Sequence, residues 1–213
     1  MRALIRSLAL PLAAAVGVAL APAASADPII PLTWSITGTT TVAKSGLSVP
    51  IPPGAKFVGQ IDLADWKLTG ETTIPDLVSK GKLLNAVPYT AIVRQVATKP
   101  LDGGIVDGKV QVNRYFRMQI VKLSVDFLPN LNLVPAGCTT SEDSVVTLTN
   151  TTPIDLFKPM GLAGEFTIPA FAKCGLLTPM ITSMMSGPGN KMDLTFTPGA
   201  ATVAAIPAGQ NAP

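Results

Sequence analysis

Histidine is absent from all 213 residues of this chain. That absence excludes Ser-His-Asp and Cys-His nucleophile systems and every His-ligated zinc or haem site. Cysteine is scarce: only Cys138 and Cys174 are present, so a thiol nucleophile or mixed metal site would have no His partner. Charged residues make up 14% of the chain and aromatic residues 5%. No lysine or arginine cluster marks a footprint for nucleic acid or anionic lipid. Twenty prolines argue against long helices and for short strands joined by rigid turns. Beyond the first 26 residues, no apolar run is long enough to span a bilayer as a helix.

What is present begins with an export pattern. Arg2 and Arg6 precede an apolar stretch from Leu8 to Leu20, and Ala24-Ser25-Ala26 precedes Asp27. This charged, apolar, small-residue order predicts a signal peptide over 1–26, cleaved on secretion. The expected mature chain, from Asp27 to Pro213, then carries 14 basic and 13 acidic residues, a net charge of +1. A chain of that length buries about 70 per cent of its unfolded surface in one core. In an oxidising compartment Cys138 and Cys174 are expected to pair.

The chain also says one phrase twice. The stretch from Leu68 (Leu-Thr-Gly-Glu-Thr-Thr-Ile-Pro) to Leu83 matches that from Leu162 (Leu-Ala-Gly-Glu-Phe-Thr-Ile-Pro) to Leu177 at eight of sixteen positions without a gap. Upstream, Ile61-Asp62-Leu63 and Ile154-Asp155-Leu156 extend the match if one residue is inserted. The offset of 94 residues is too long for a solenoid, whose repeats run to about 20–50. It predicts two related halves packed together, over 27–120 and 121–197, followed by a loosely held tail over 198–213.

Strand signals dominate. Leu32, Trp34 and Ile36 alternate with polar neighbours, as do Phe57, Gly59, Ile61 and Leu63, and as do Leu194 and Phe196. From Lys109, the residues Val110, Val112, Phe116, Met118 and Ile120 share one parity that only Arg114 breaks. Gln111, Asn113, Tyr115, Arg117 and Gln119 share the other, so this strand has one wet face. After Ile120 the apolar parity moves to Val121, Leu123, Val125 and Phe127, which predicts a bulge or a sheet-to-sheet corner. Asp107-Gly108 predicts a two-residue hairpin turn. Two short helices are expected: one with Thr178 as N-cap, Pro179 at its first helical position and an end at Gly187-Pro188, the other from Asp76 to Ala86. Gly187-Pro188-Gly189-Asn190 is read as a turn.

Few residues suggest chemistry. Ser79-Lys80-Gly81-Lys82 has a Ser-x-x-Lys spacing, but the Ser-Asp-Asn and Lys-Thr-Gly partners of that enzyme class are missing. Glu71 and Glu165 follow the repeated glycine and form a carboxylate pair only if the two copies meet in one cleft; alternation instead puts both in solvent. Asp62, Asp65, Glu142 and Asp143 are too scattered for a calcium loop. Met180, Met184 and Met185 give the helix at 178 an apolar face suited to a core or to a pliable pocket.

Cys138-Thr-Thr-Ser-Glu142, Gly164-Glu-Phe-Thr-Ile-Pro-x-Phe-x-x-Cys174-Gly175 and Ser186-Gly-Pro-Gly-Asn190, behind an Ala-rich signal, resemble secreted β-rich proteins of actinobacteria with no assigned function. The resemblance covers mainly 138–197. It implies an exported β-rich protein with this cysteine pair bridged, and it brings no activity, substrate or catalytic residue.

The expectation is therefore an all-β protein, a β-sandwich or distorted barrel of two related halves with one or two short helices. It is expected to be secreted or cell-envelope associated, non-catalytic and free of cofactor and metal. The partner is expected to be a cell-envelope glycan, a lipid or a protein, with Asn113, Tyr115 and Arg117 as the binding patch. Two alternatives stand beside it. A hydrophobic-ligand carrier requires an apolar cavity of about 300 Å³, and a carboxylate-dependent hydrolase requires Glu71 and Glu165 within about 10 Å of each other.

Overall fold

The computed structural model describes residues 29–83 and 86–199; the expected signal peptide lies outside them, as does most of the expected tail. Among the described residues, thirteen strands form one antiparallel sheet. Eight of them close a ring in chain order: β1 (Ile29–Val42), β3 (Lys56–Asp62), β4 (Lys67–Thr73), β7 (Leu101–Val106), β8 (Lys109–Val125), β10 (Ser144–Asn150), β11 (Met160–Ile168) and β13 (Gly187–Pro198). The ring shuts where β13 pairs with β1, Trp34 standing opposite Pro198. The remaining strands extend its long members. β2 (Leu47–Pro50) continues the β3 edge of β1, and β9 (Thr139–Thr140) continues the β10 edge of β8. β6 (Val87–Ala97) continues the β7 edge of β8 and carries β5 (Leu77–Leu83) on its far side. The architecture of the described residues is all-β, a closed but irregular ring, with one short α-helix, α1 (Thr178–Met185).

Alternation places the core inside the ring. Leu32, Trp34 and Ile36 of β1, Phe57 and Ile61 of β3, and Leu194 and Phe196 of β13 are all buried. Trp34, Phe57 and Phe196 meet with ring centroids 5.8–6.4 Å apart, Phe196 edge-on to the other two, the arrangement that aromatic quadrupoles favour. The β8 alternation holds from Val110 to Ile120. Val121 is then skipped in the pairing with β6, where Ile120 faces Val93 and Lys122 faces Ile92, so the parity switch is a bulge. That bulge coincides with the expected division of the halves at 120/121, which falls inside β8. The hairpin at Asp107-Gly108 has φ of 50° and 70°, the two left-handed residues that a type I′ turn needs.

The repeated phrase lands on β4 and β11, four strands apart whichever way the ring is followed. Asp62 and Asp155, ahead of each copy, close the same local turn: each accepts a backbone N–H two residues on at 2.9 Å. Past the shared Ile-Pro the copies diverge. Where a helix over 76–86 is expected, residues 77–83 form strand β5, whose Leu77 is buried and pairs with Val93. Asp76 caps no helix; it makes a two-toothed ion pair with Arg94 at 2.7 and 2.8 Å. Pairing with β6 and the helix-weakening Gly81 outweigh a weak helical pattern.

In the second copy β12 (Phe171–Ala172) pairs with β9, and a 3₁₀ turn over Gly175–Leu177 leads into α1. Helix α1 begins one residue earlier than expected, because Leu177 holds the N-cap position. The Thr178 hydroxyl instead reaches back, accepting from Cys174 N–H and donating to Gly175 C=O. The Gly187–Asn190 stretch opens β13 rather than forming a turn. Buried Asn190 fixes it there, donating to Phe166 and Gly187 carbonyls and accepting from Ala43 N–H. Pro198 likewise belongs to β13, and Gly199 N–H bonds to Thr33 C=O, so these first two residues of the expected tail are held in the fold.

The two cysteines are bridged. Cys138 and Cys174, both fully buried, have Cα atoms 4.3 Å apart. The bridge fastens the segment ahead of β9 to the segment ahead of α1.

Candidate functional site

Asn113, Tyr115 and Arg117 stand on the outer face of β8, as alternation requires, and the fold surrounds them with residues distant in sequence. The Thr147 hydroxyl of β10 donates to Asn113 Oδ1 at 2.9 Å. Arg117 Nε donates to Asp143 Oδ1 at 2.8 Å, and the Thr98 hydroxyl donates to Asp143 Oδ2 at 2.8 Å. Lys99 Nζ lies 4.9 Å from the centroid of the Tyr115 ring, within cation–π range. The Arg117 bond, and then that from Thr98, hold the Asp143 carboxyl below its ordinary range. The network therefore stands at neutral pH and is released as acid protonates Asp143 below that lowered value.

Two surface grooves flank this patch. One, of about 590 Å³, runs between β10 and β11 and is lined by Asp143, Val145, Glu165, Phe166 and Pro169 among others. The other, of about 290 Å³, is lined by Glu71, Thr72, Ala97, Thr98, Lys99 and Pro100. It sits at a seam: β4 pairs with β7 only from Lys67 to Gly70, and its last residues have no ladder partner on that side. The Asp143–Thr98 bond links the two grooves across the patch. Sequence reasoning reached the three β8 residues through their parity. It missed Thr98 and Lys99, and weighed Asp143 only as a calcium ligand; these residues lie on a connection and ahead of a strand, where no periodic signal exists.

Behind the patch, on the inner face of β8, Arg114 is 2% exposed. Its partners are neutral: Nε donates to Thr72 Oγ1 at 2.9 Å, Nη1 donates to Gln95 Oε1 at 2.6 Å, and the guanidinium stacks 4.5 Å from the centroid of the Phe116 ring. Burial pushes the guanidinium down to about 10, which leaves it cationic at neutral pH.

The other sequence candidates separate. Glu71 and Glu165 point outward from β4 and β11, four inter-strand steps of about 4.8 Å apart by either route. They share no cleft, and Glu165 faces Lys191 at 3.7 Å. Ser79 and Lys82, three apart on strand β5, project to opposite faces; the Ser79 hydroxyl engages Tyr89. Lys82 lines a cup of about 320 Å³ with Lys44, Ser45, Leu47, Gly81, Tyr89 and Met184. On α1, Ile181 is the buried residue, with Met184 and Met185 packed against the core. The apolar voids beside Trp34 hold about 10 Å³ each, far below the volume of a lipid chain.

No family model, no curated protein and no solved structure matches the chain.

Proposed function

We propose that this chain is an exported, non-catalytic binding protein of the cell envelope, and that the outer face of β8 engages an envelope glycan. The observation that carries the proposal is the patch itself: a half-exposed Tyr115 set among polar groups already held in place, between two open grooves. Sugars are recognised by aromatic faces and by planar polar side chains whose rotamers are fixed before binding, which lowers the ordering cost. Export is inferred from the N-terminal pattern, and the buried disulfide is compatible with it. We also read the opposed placement of β4 and β11 as the trace of an internal duplication, with β1, β3, β4 and β7 corresponding to β8, β10, β11 and β13. The carrier and hydrolase readings have weaker support, because the apolar voids beside Trp34 are far smaller than a lipid chain and Glu71 and Glu165 do not converge.

Tyr115→Ala should weaken retention on envelope polysaccharide about 30-fold, corresponding to loss of one anchor contact of about 2 kcal/mol. The melting temperature should stay within about 1–2 °C, as expected for a surface substitution. Affinity electrophoresis against purified cell-wall polysaccharide measures the first and calorimetry the second. Unchanged retention would remove the β8 face from consideration.

A further inference from the structure

Four buried side-chain polar atoms lack a hydrogen-bond partner among the described residues: Trp34 Nε1, Gln95 Nε2, Arg114 Nη2 and Ser144 Oγ. Two of the four belong to one bonded pair, Arg114 and Gln95, and a third, Ser144 Oγ, lies on the strand next to Arg114. Gln95 is bonded to Arg114 through Oε1, so its amide orientation is fixed and Nε2 has to face elsewhere. Ser144 stands opposite Phe116 in the β8–β10 ladder, and Arg114 stands opposite Val146. Ser144 is thus the diagonal neighbour of Arg114, about 7–8 Å away along the sheet. The guanidinium leans over Phe116, toward that same position. No described carboxylate forms an ion pair with Arg114.

A buried guanidinium is costly unless it is compensated. Two of its three donating nitrogens meet neutral acceptors, and Nη2 meets none among the described residues. Gln95, bonded to it, has an unused donor, and Ser144 on the adjacent strand has another. Other deeply buried polar side chains, Thr40 and Asn190 among them, are bonded; Trp34 Nε1 is the one unpartnered atom of the four that lies apart from Arg114 among the described residues. The guanidinium fork adds a direction. Nε and Nη2 share one edge of the plane, so the vacant Nη2 looks to the side of Thr72. Thr72 also lines the 290 Å³ groove at the seam, which makes that seam the route inward.

We infer that a small monovalent anion of chloride size binds inside the ring beside Arg114, received by Arg114 Nη2, Gln95 Nε2 and the Ser144 hydroxyl, and enters past Thr72. The inference is independent of the glycan face, because it uses the opposite side of β8. A water molecule would satisfy the same donors but would leave the charge uncompensated, and the two occupants respond differently to salt.

The test is a thermal melt of the intact, oxidised protein exchanged from sodium gluconate into sodium chloride at constant ionic strength, gluconate being too large to enter. Chloride should raise the melting temperature by about 3–5 °C per tenfold concentration above its dissociation constant. Ser144→Ala and Arg114→Met should each flatten that dependence, and the alanine variant keeps the test open if the methionine variant does not fold. Crystals grown in bromide should give an anomalous peak within hydrogen-bonding reach of Nη2. Equal melting in gluconate and chloride, an equal chloride response in wild type and both variants, or water alone at Nη2 in bromide crystals would each overturn the inference.

Discussion

Gly164→Ala should destabilise the protein by about 3 kcal/mol, the upper range for forced overpacking, and lower its melting temperature by about 6–12 °C. Gly164 points into the ring from β11. A Cβ there would sit 2.2 Å from the backbone carbonyl oxygen of Thr147 and 3.0 Å from Val146 Cγ2. A backbone oxygen inside a ladder has nowhere to move. Its counterpart Gly70 on β4 is held as tightly, with Gly59 Cα and Val58 O both 2.6 Å from a Cβ. The glycine repeated in the two copies thus marks, both times, a place where a neighbouring strand crosses too closely for a side chain. Gly161→Ala on the same strand is the control. Its Cβ would meet the exposed Thr151 hydroxyl at 2.5 Å and little else, and a hydroxyl rotates away at small cost. Denaturant unfolding should place the control within about 0.5 kcal/mol of wild type; a Gly164→Ala variant equally close to wild type would contradict the close-approach account.

Removing the disulfide should have a comparable effect. The bridge spans 36 residues, and closing a loop of that length in the unfolded chain stabilises the folded state by roughly 3–4 kcal/mol on the chain-entropy argument. The Cys138→Ser, Cys174→Ser double variant should therefore melt about 6–16 °C lower. The loss should also be uneven. The bridge anchors the two-residue ladder of β9 with β12 and the approach to α1, whereas β1, β3 and β4 lie in ladders that do not include it. Amide exchange should accelerate first at Phe171, Ala172 and Ile181. A double variant melting within about 2 °C of the oxidised protein would show that packing alone holds this region.

Much of the ring was legible because one face of each strand is buried and the other is wet. β1, β3 and the first part of β8 follow their alternation residue by residue, and the bulge at Val121 was announced by its change of parity. What could not be read was pairing. Leu77–Leu83 carries a helix-compatible pattern, and only the edge of β6, supplied by residues 87–97, turns it into a strand. The same holds for the candidate site. Tyr115 and Arg117 declared themselves by parity, but Asp143 reaches Arg117 across 26 residues and Thr98 across 45, contacts that exist only once β8 has paired on both edges. Arg114 was visible as the one break in an apolar alternation. Its burial reflects the seam between β4 and β6, where neutral hydrogen-bonding partners are available inside the ring.

The measurement that bears most directly on the proposed binding face is a ¹⁵N chemical-shift titration of the oxidised protein with fragments of cell-envelope polysaccharide. The account predicts saturable shifts confined to Thr98, Lys99, Asn113, Tyr115, Arg117, Asp143 and the walls of the two flanking grooves, and absent from the cup formed by Lys44, Lys82 and Tyr89. Shifts centred on that cup, or no shifts with any fragment, would contradict the assignment of the β8 face as the glycan-binding surface.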